Sequence, residues 1–116
     1  MGPCFGVFIY DPASKVTYGG HFAPGTVLHC PEAFTQMLDR AFAEFRVSNE
    51  IRVYASGCCQ SNDRSEPGWQ DTRRFVEAEL QRRKTPATTI ELRWPDSGVE
   101  CVNMILEPES GYFELT

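Results

Sequence analysis

The chain has 116 residues, of which 41% are hydrophobic, with 11 basic against 16 acidic side chains and a formal net charge of −5 at pH 7. That size and balance suit one domain, spanning 1–116, around a single hydrophobic core, and exclude tandem, fibrous and disordered architectures. The acidic excess disfavours a nucleic-acid partner, because phosphate backbones require clustered Lys and Arg.

Cys4 to Tyr10 (CFGVFIY) is aromatic and β-branched, and Val16 to Phe22 (VTYGGHF) follows across the turn-forming Asp11-Pro12-Ala13-Ser14, which predicts a hairpin. Pro24-Gly25 ends the extended segment. Pro31 opens a stretch in which Phe34, Met37, Leu38, Ala41, Phe42 and Phe45 recur at helical spacing, so a core-facing helix is expected there. Asn49 breaks it, and Glu50 to Ser56 (EIRVYAS) alternates as a strand with one covered face. Gly57 to Gly68 reads as a loop. A second helix over Gln70 to Arg83 places Trp69, Thr72, Phe75, Val76 and Leu80 on one side, with Arg73, Arg74, Arg82 and Arg83 looking outward. Pro86 stops it. Three short strands close the chain at Thr88–Trp94, Val99–Leu106 and Tyr112–Leu115, separated by the turns Pro95–Gly98 and Pro108–Gly111. The expected fold is an α+β sandwich of antiparallel or mixed sheet carrying two helices.

No apolar run approaches the ~20 residues of a membrane span. The start Met1-Gly2-Pro3-Cys4 has neither the basic segment nor the apolar core of a secretory signal, so a cytoplasmic location is expected. Five cysteines, Cys4, Cys30, Cys58, Cys59 and Cys101, are an odd number, which leaves at least one thiol free, and in the cytosol all five would be reduced. With no CxxC pair and only His21 and His29 as histidines, neither a metal site nor a cofactor is expected.

The hairpin register supplies the sharpest local expectation. A four-residue loop Asp11–Ser14 pairs Tyr10 with Lys15 and sets Cys4 opposite His21, with Cβ atoms about 4.5–5.5 Å apart. Were the loop one residue longer, a bulge at Gly19-Gly20 would restore the pairing. A Cys and a His so placed form a thiolate–imidazolium pair, which supplies both nucleophile and general base for attack on a carbonyl. The plainer reading of the same residues is a small buried Cys and a hydrogen-bonded His on neighbouring strands.

The segment GPCFGVFIYDPASKVTYGGHFAPG from Gly2 resembles the motif of the CheD family of bacterial chemoreceptor glutamine deamidases: a Gly-Ser-Cys start, an apolar strand ending in Tyr-Asp, a short turn, and a Gly-rich strand ending in His-Phe. The seventeen-residue step from Cys4 to His21 agrees with it, and the helix from Pro31, the strand EIRVYASG, the helix QDTRRFVEAEL and the closing VECVNMILEPESGYFEL occur in the family's order. The resemblance implies a CheD-like fold, shared with deamidating bacterial toxins, and conversion of a glutamine in a partner protein to glutamate with release of ammonia. Cys4 would be the nucleophile and His21 the base, with backbone amides near Cys4 holding the oxyanion. Chemotaxis is the setting the family suggests.

The chain departs from that motif at two places. The polar residue, often Thr, that precedes the cysteine has no counterpart in Met1-Gly2-Pro3, so Thr17, Thr26 or Ser56 is left to orient the imidazole. Pro3 stands where the family has Ser and removes a backbone donor. These departures motivate a rival reading, a CheD-like domain that binds a protein without catalysis. A third is a thiol redox or metal-binding protein that uses Cys58 and Cys59, joined for metal by Cys4 and His21. His29-Cys30 reads as a helix cap region, Cys101 as core or strand surface, and Trp69 and Trp94 as core and rim aromatics. The four arginines read as a solvated face or a docking patch for an acidic partner.

Overall fold

The computed structural model describes residues 4–45, 50–57, 69–95 and 103–115. Its elements are β1 (Phe5–Asp11), β2 (Val16–Phe22), α1 (Pro24–His29), α2 (Glu32–Glu44), β3 (Ile51–Gly57), α3 (Trp69–Arg83), β4 (Thr88–Arg93), β5 (Met104–Glu107) and β6 (Tyr112–Leu115). The first four strands make a mixed sheet in the order β2-β1-β3-β4, antiparallel except for the β3–β4 pair, while β5 and β6 form a separate antiparallel hairpin. A parallel pair requires a crossover, and α3 lies within the one that joins β3 to β4. The expected α+β sandwich is the observed architecture, and its sheet is the mixed form.

Strand alternation divides the sheet into two faces. Phe5, Val7 and Ile9 of β1 and Ile51, Val53 and Ala55 of β3, with Val7 opposite Ala55 and Ile9 opposite Val53, are buried in one core with Phe34, Leu38 and Ala41 of α2 and Val76 and Leu80 of α3. Burying each of the larger side chains contributes about 1.5–3 kcal/mol. At the start of β1, Phe5 and Phe22 are cross-strand partners with ring centroids 5.4 Å apart, and both meet Phe34 edge-on at 5.5 and 5.2 Å. The opposite face carries the β5–β6 hairpin. The Phe113 ring stacks on Tyr54 at 4.1 Å, and the Tyr10 hydroxyl donates to the Pro108 carbonyl at 2.5 Å. These contacts gather at the Tyr10 end of β1, away from Cys4.

Two expectations need correction. The fold has three described helices rather than two, because Pro24-Gly25 does not only end a strand but opens α1. Proline at the first helical position loses no needed donor, the Val27 amide bonds back to the Ala23 carbonyl at 3.1 Å, and Val27 is buried in the core. Arg83 does not look outward. Its side chain is 8% exposed, donates to Asp39 of α2 at 2.8 Å and to the Glu79 carboxylate one turn back, and so ties α3 to α2. Arg73 also turns in, with its guanidinium 5.6 Å from the Trp94 ring centroid and donating to the Pro95 carbonyl at 3.0 Å. Arg74 and Arg82 remain 77% and 65% exposed, each beside a carboxylate of its own helix, so the four arginines do not form one docking patch. Among the described residues, no helix is long and apolar enough to cross a membrane.

The Glu79 carboxyl is held below its ordinary 4.5, first by the hydrogen bond from Arg83 and then by that from Arg82. A carboxylate with a depressed folded-state pKa stabilises the fold fully above its unfolded value and loses that contribution as pH falls through the folded one. Urea midpoints should therefore fall as pH drops below about 4.5, and Glu79→Gln should flatten part of that acid limb while lowering stability at neutral pH. An unchanged acid limb in the variant would refute the assignment.

Candidate active site

The site is set by the turn between β1 and β2. Asp11 belongs to the strand, not the loop: it pairs with Val16, and the connection is Pro12–Lys15. The Asp11 carboxylate accepts the Ala13 amide at 3.0 Å and the Ser14 hydroxyl at 2.9 Å, the Lys15 amide donates to the Asp11 carbonyl at 2.8 Å, and Lys15 takes the left-handed conformation at φ 60°. An aspartate that closes a turn with its own side chain is held at the turn's first position. Relative to the expected hairpin every partner moves by two residues, so His21 lies opposite Gly6 rather than Cys4. Pairing runs unbroken from Phe5–Phe22 to Asp11–Val16, with no bulge at Gly19-Gly20.

A shift of two leaves the pleat parity unchanged. His21 shares the face of Gly6, Phe8 and Tyr10, away from the helices, and the same alternation continued one residue before β1 brings Cys4 to that face. On that extension the two become diagonal neighbours, about 7–8 Å apart, rather than directly opposed. Gly6, the residue between them, has no side chain to separate them. Cys4 is a half-buried free thiol and His21 is exposed, and among the described residues no hydrogen bond joins them.

On its other side Gly6 faces Ser56 of β3. Ser56 is fully buried, and its hydroxyl donates to the Arg93 carbonyl at 2.5 Å, which leaves its lone pairs as acceptors. The row His21–Gly6–Ser56 thus crosses three strands on one face. Of the three hydroxyls considered for orienting the imidazole, Ser56 alone sits in this row. Thr17 is on the same face but four residues from His21, about 13 Å along β2. Its Oγ1 is buried and has no hydrogen-bond partner among the described residues. Thr26 lies in α1, past the end of β2.

Sequence inspection missed Gly57. It has φ +109°, and a Cβ built on it would fall 2.4 Å from the Cys4 carbonyl oxygen and 2.8 Å from Phe5 Cα. A strand ending in glycine is the signal that could have revealed it: no other residue lets β3 pass so close to the backbone of Cys4. Phe5, the next residue, is fully buried, so the start of β1 is fixed from both sides.

The other candidates fall elsewhere. His29 ends α1 and Cys30 is exposed between α1 and α2; Pro31, not that pair, stands at the start of α2, with no side-chain cap. Trp94 is a rim aromatic as expected, half-buried with its indole N–H donating to Glu77 at 2.6 Å. Cys58, Cys59 and Cys101 lie outside the described residues. Among the described residues, no three His, Cys, Asp or Glu side chains are grouped to hold a metal ion.

The chain matches no family model, no curated protein and no solved structure.

Two substitutions probe this arrangement through stability. Gly57→Ala should lower unfolding free energy by about 1–3 kcal/mol from backbone strain alone, read from urea midpoints, and should change the rate at which Cys4 is alkylated by iodoacetamide. Thr17→Val, which removes a buried hydroxyl without a partner among the described residues, should raise stability by about 1 kcal/mol; a loss of similar size would show that the hydroxyl is hydrogen-bonded.

Proposed function

We propose that this protein is a cysteine-dependent amidohydrolase, CheD-like in its chemistry, that deamidates a glutamine side chain of a partner protein in the cytoplasm. The observation that carries the reading is the hairpin register, which sets His21 opposite Gly6, two residues from Cys4, so that the pleat continued to Cys4 makes the thiol and the imidazole diagonal neighbours. A rotation of the exposed imidazole toward the thiol would complete the pair, and catalytic hydrogen bonds often tighten only when substrate binds.

In the first step His21 takes the Cys4 proton and the thiolate attacks Cδ of the glutamine, moving the carbonyl π electrons onto oxygen. Backbone amides near Cys4 hold that oxyanion. As the carbonyl re-forms, the C–N bond breaks and the amide nitrogen leaves as ammonia with the proton from His21. Water then attacks the thioester while His21 accepts its proton. Collapse breaks the C–S bond, returns the proton to the Cys4 sulfur and releases glutamate. The chemistry draws on no cofactor. Ser56, with its own proton committed to the Arg93 carbonyl, keeps acceptor lone pairs but lies two strands from His21, across Gly6.

A domain that binds without reacting is the second reading, favoured by the open Cys4–His21 geometry and by Pro3. Mass spectrometry of candidate partners separates the two. The hydrolase reading expects a gain of about 1 Da on a single glutamine, lost in Cys4→Ala and slowed about 100-fold or more in His21→Asn. A gain that survives in Cys4→Ala, or a partner bound by the intact protein with its mass unchanged, would overturn it.

A further inference from the structure

Among the described strands β2 is outermost in the sheet, and its sequence VTYGGHF contains no Lys, Arg, Asp, Glu or Pro. Natural sheet edges are usually blunted by charge, proline or a covering element, because a bare row of N–H and C=O groups recruits another strand. β4, at the other edge, carries Glu91 and Arg93, which pair with each other. Beside the β2 edge lies a groove of about 430 Å³ lined by Tyr18 of β2 and by Ala33, Gln36, Met37 and Arg40 of α2. These four α2 positions form a second stripe, distinct from the Phe34, Leu38 and Ala41 stripe that enters the core.

Among the described lining residues, Arg40 alone is charged. It is exposed and, like Lys84, makes no ion pair among the described residues, whereas Lys15, Arg52, Arg74, Arg82, Arg83 and Arg93 each meet a carboxylate. An uncompensated cation in a groove of a protein with net charge −5 selects for a carboxylate from outside. A second copy pairing through its own β2 would bring no carboxylate on that strand.

We propose that the groove between β2 and α2 binds an extended, acidic peptide segment of a protein partner by strand addition to the outer edge of β2. Backbone hydrogen bonds along β2 supply the affinity, and alternate side chains of the added strand enter the groove. One carboxylate meets Arg40, and an apolar neighbour lies against Tyr18 and Met37. This surface does not depend on Cys4 chemistry.

The test pans a random dodecapeptide display library against the full chain and titrates the strongest synthetic peptide into 15N-labelled protein. The selected sequences should share an acidic residue within an alternating apolar pattern, and amide shifts should concentrate on Val16–Phe22 and positions 33–40. Arg40→Glu should weaken binding about tenfold or more, Arg40→Lys should largely restore it, and N-methylation of alternate peptide amides should abolish it. Arg40 is exposed, so these variants leave the core intact. Failure to select any peptide, shifts on β4 or the β5–β6 hairpin, indifference to Arg40→Glu, or concentration-dependent dimerisation through β2 would each overturn the proposal.

Discussion

The aromatic trio of Phe5, Phe22 and Phe34 fixes the end of the sheet on which the candidate site is built. Phe5 and Phe22 are cross-strand partners, and α2 presents Phe34 to both rings. Each such aromatic pair adds about 0.5–1.5 kcal/mol beyond the area it buries. Cys4 and His21 immediately precede Phe5 and Phe22 in the chain. A pleated strand sends adjacent side chains to opposite faces, so anchoring the two rings under the sheet commits the thiol and the imidazole to the top. Core packing and site geometry are two readings of one register.

Glycine shapes the other face by what it leaves out. Gly6, itself buried, brings no side chain into the row between His21 and Ser56, and Gly57 lets the end of β3 close against the Cys4 peptide. With side chains at both positions the row would be filled and the start of β1 displaced. The β5–β6 hairpin holds the far end of this face through Tyr10 and Tyr54, which is consistent with His21 remaining exposed. The protein-borne glutamine of the proposed reaction would need such access, since its side chain would arrive attached to a folded surface.

Much of the fold was legible because its signals are local. The helical stripe from Phe34 to Phe45 and the alternation of Ile51, Val53 and Ala55 each follow one period and one burial rule. The register of the first hairpin was not, because it depends on whether Asp11 lies in the loop or closes it, and composition gives the same turn in either case. The resulting two-residue error preserved the face of Cys4 and His21 and changed only their separation; a one-residue error would have placed them on opposite faces. Gly57 and Arg83 were missed for a different reason. The first is defined by a contact with a backbone far away in sequence, and the second by a carboxylate on another helix. Neither leaves a periodic trace.

The edge position of β2 links the site to the wider surface. Its two neighbours differ in kind: β1 saturates one side of its backbone, while the other side carries no strand among the described residues. A segment added there would run alongside His21, one strand spacing of about 4.8 Å away, and every second side chain would point to the face that holds the imidazole. The remaining side chains would point toward α2 and Arg40. Strand pleating would therefore give a single segment bound there access to both surfaces, with the proposed affinity on the helical side and the proposed chemistry on the other. The two functions would be separable by mutation because they read alternate residues of the same strand.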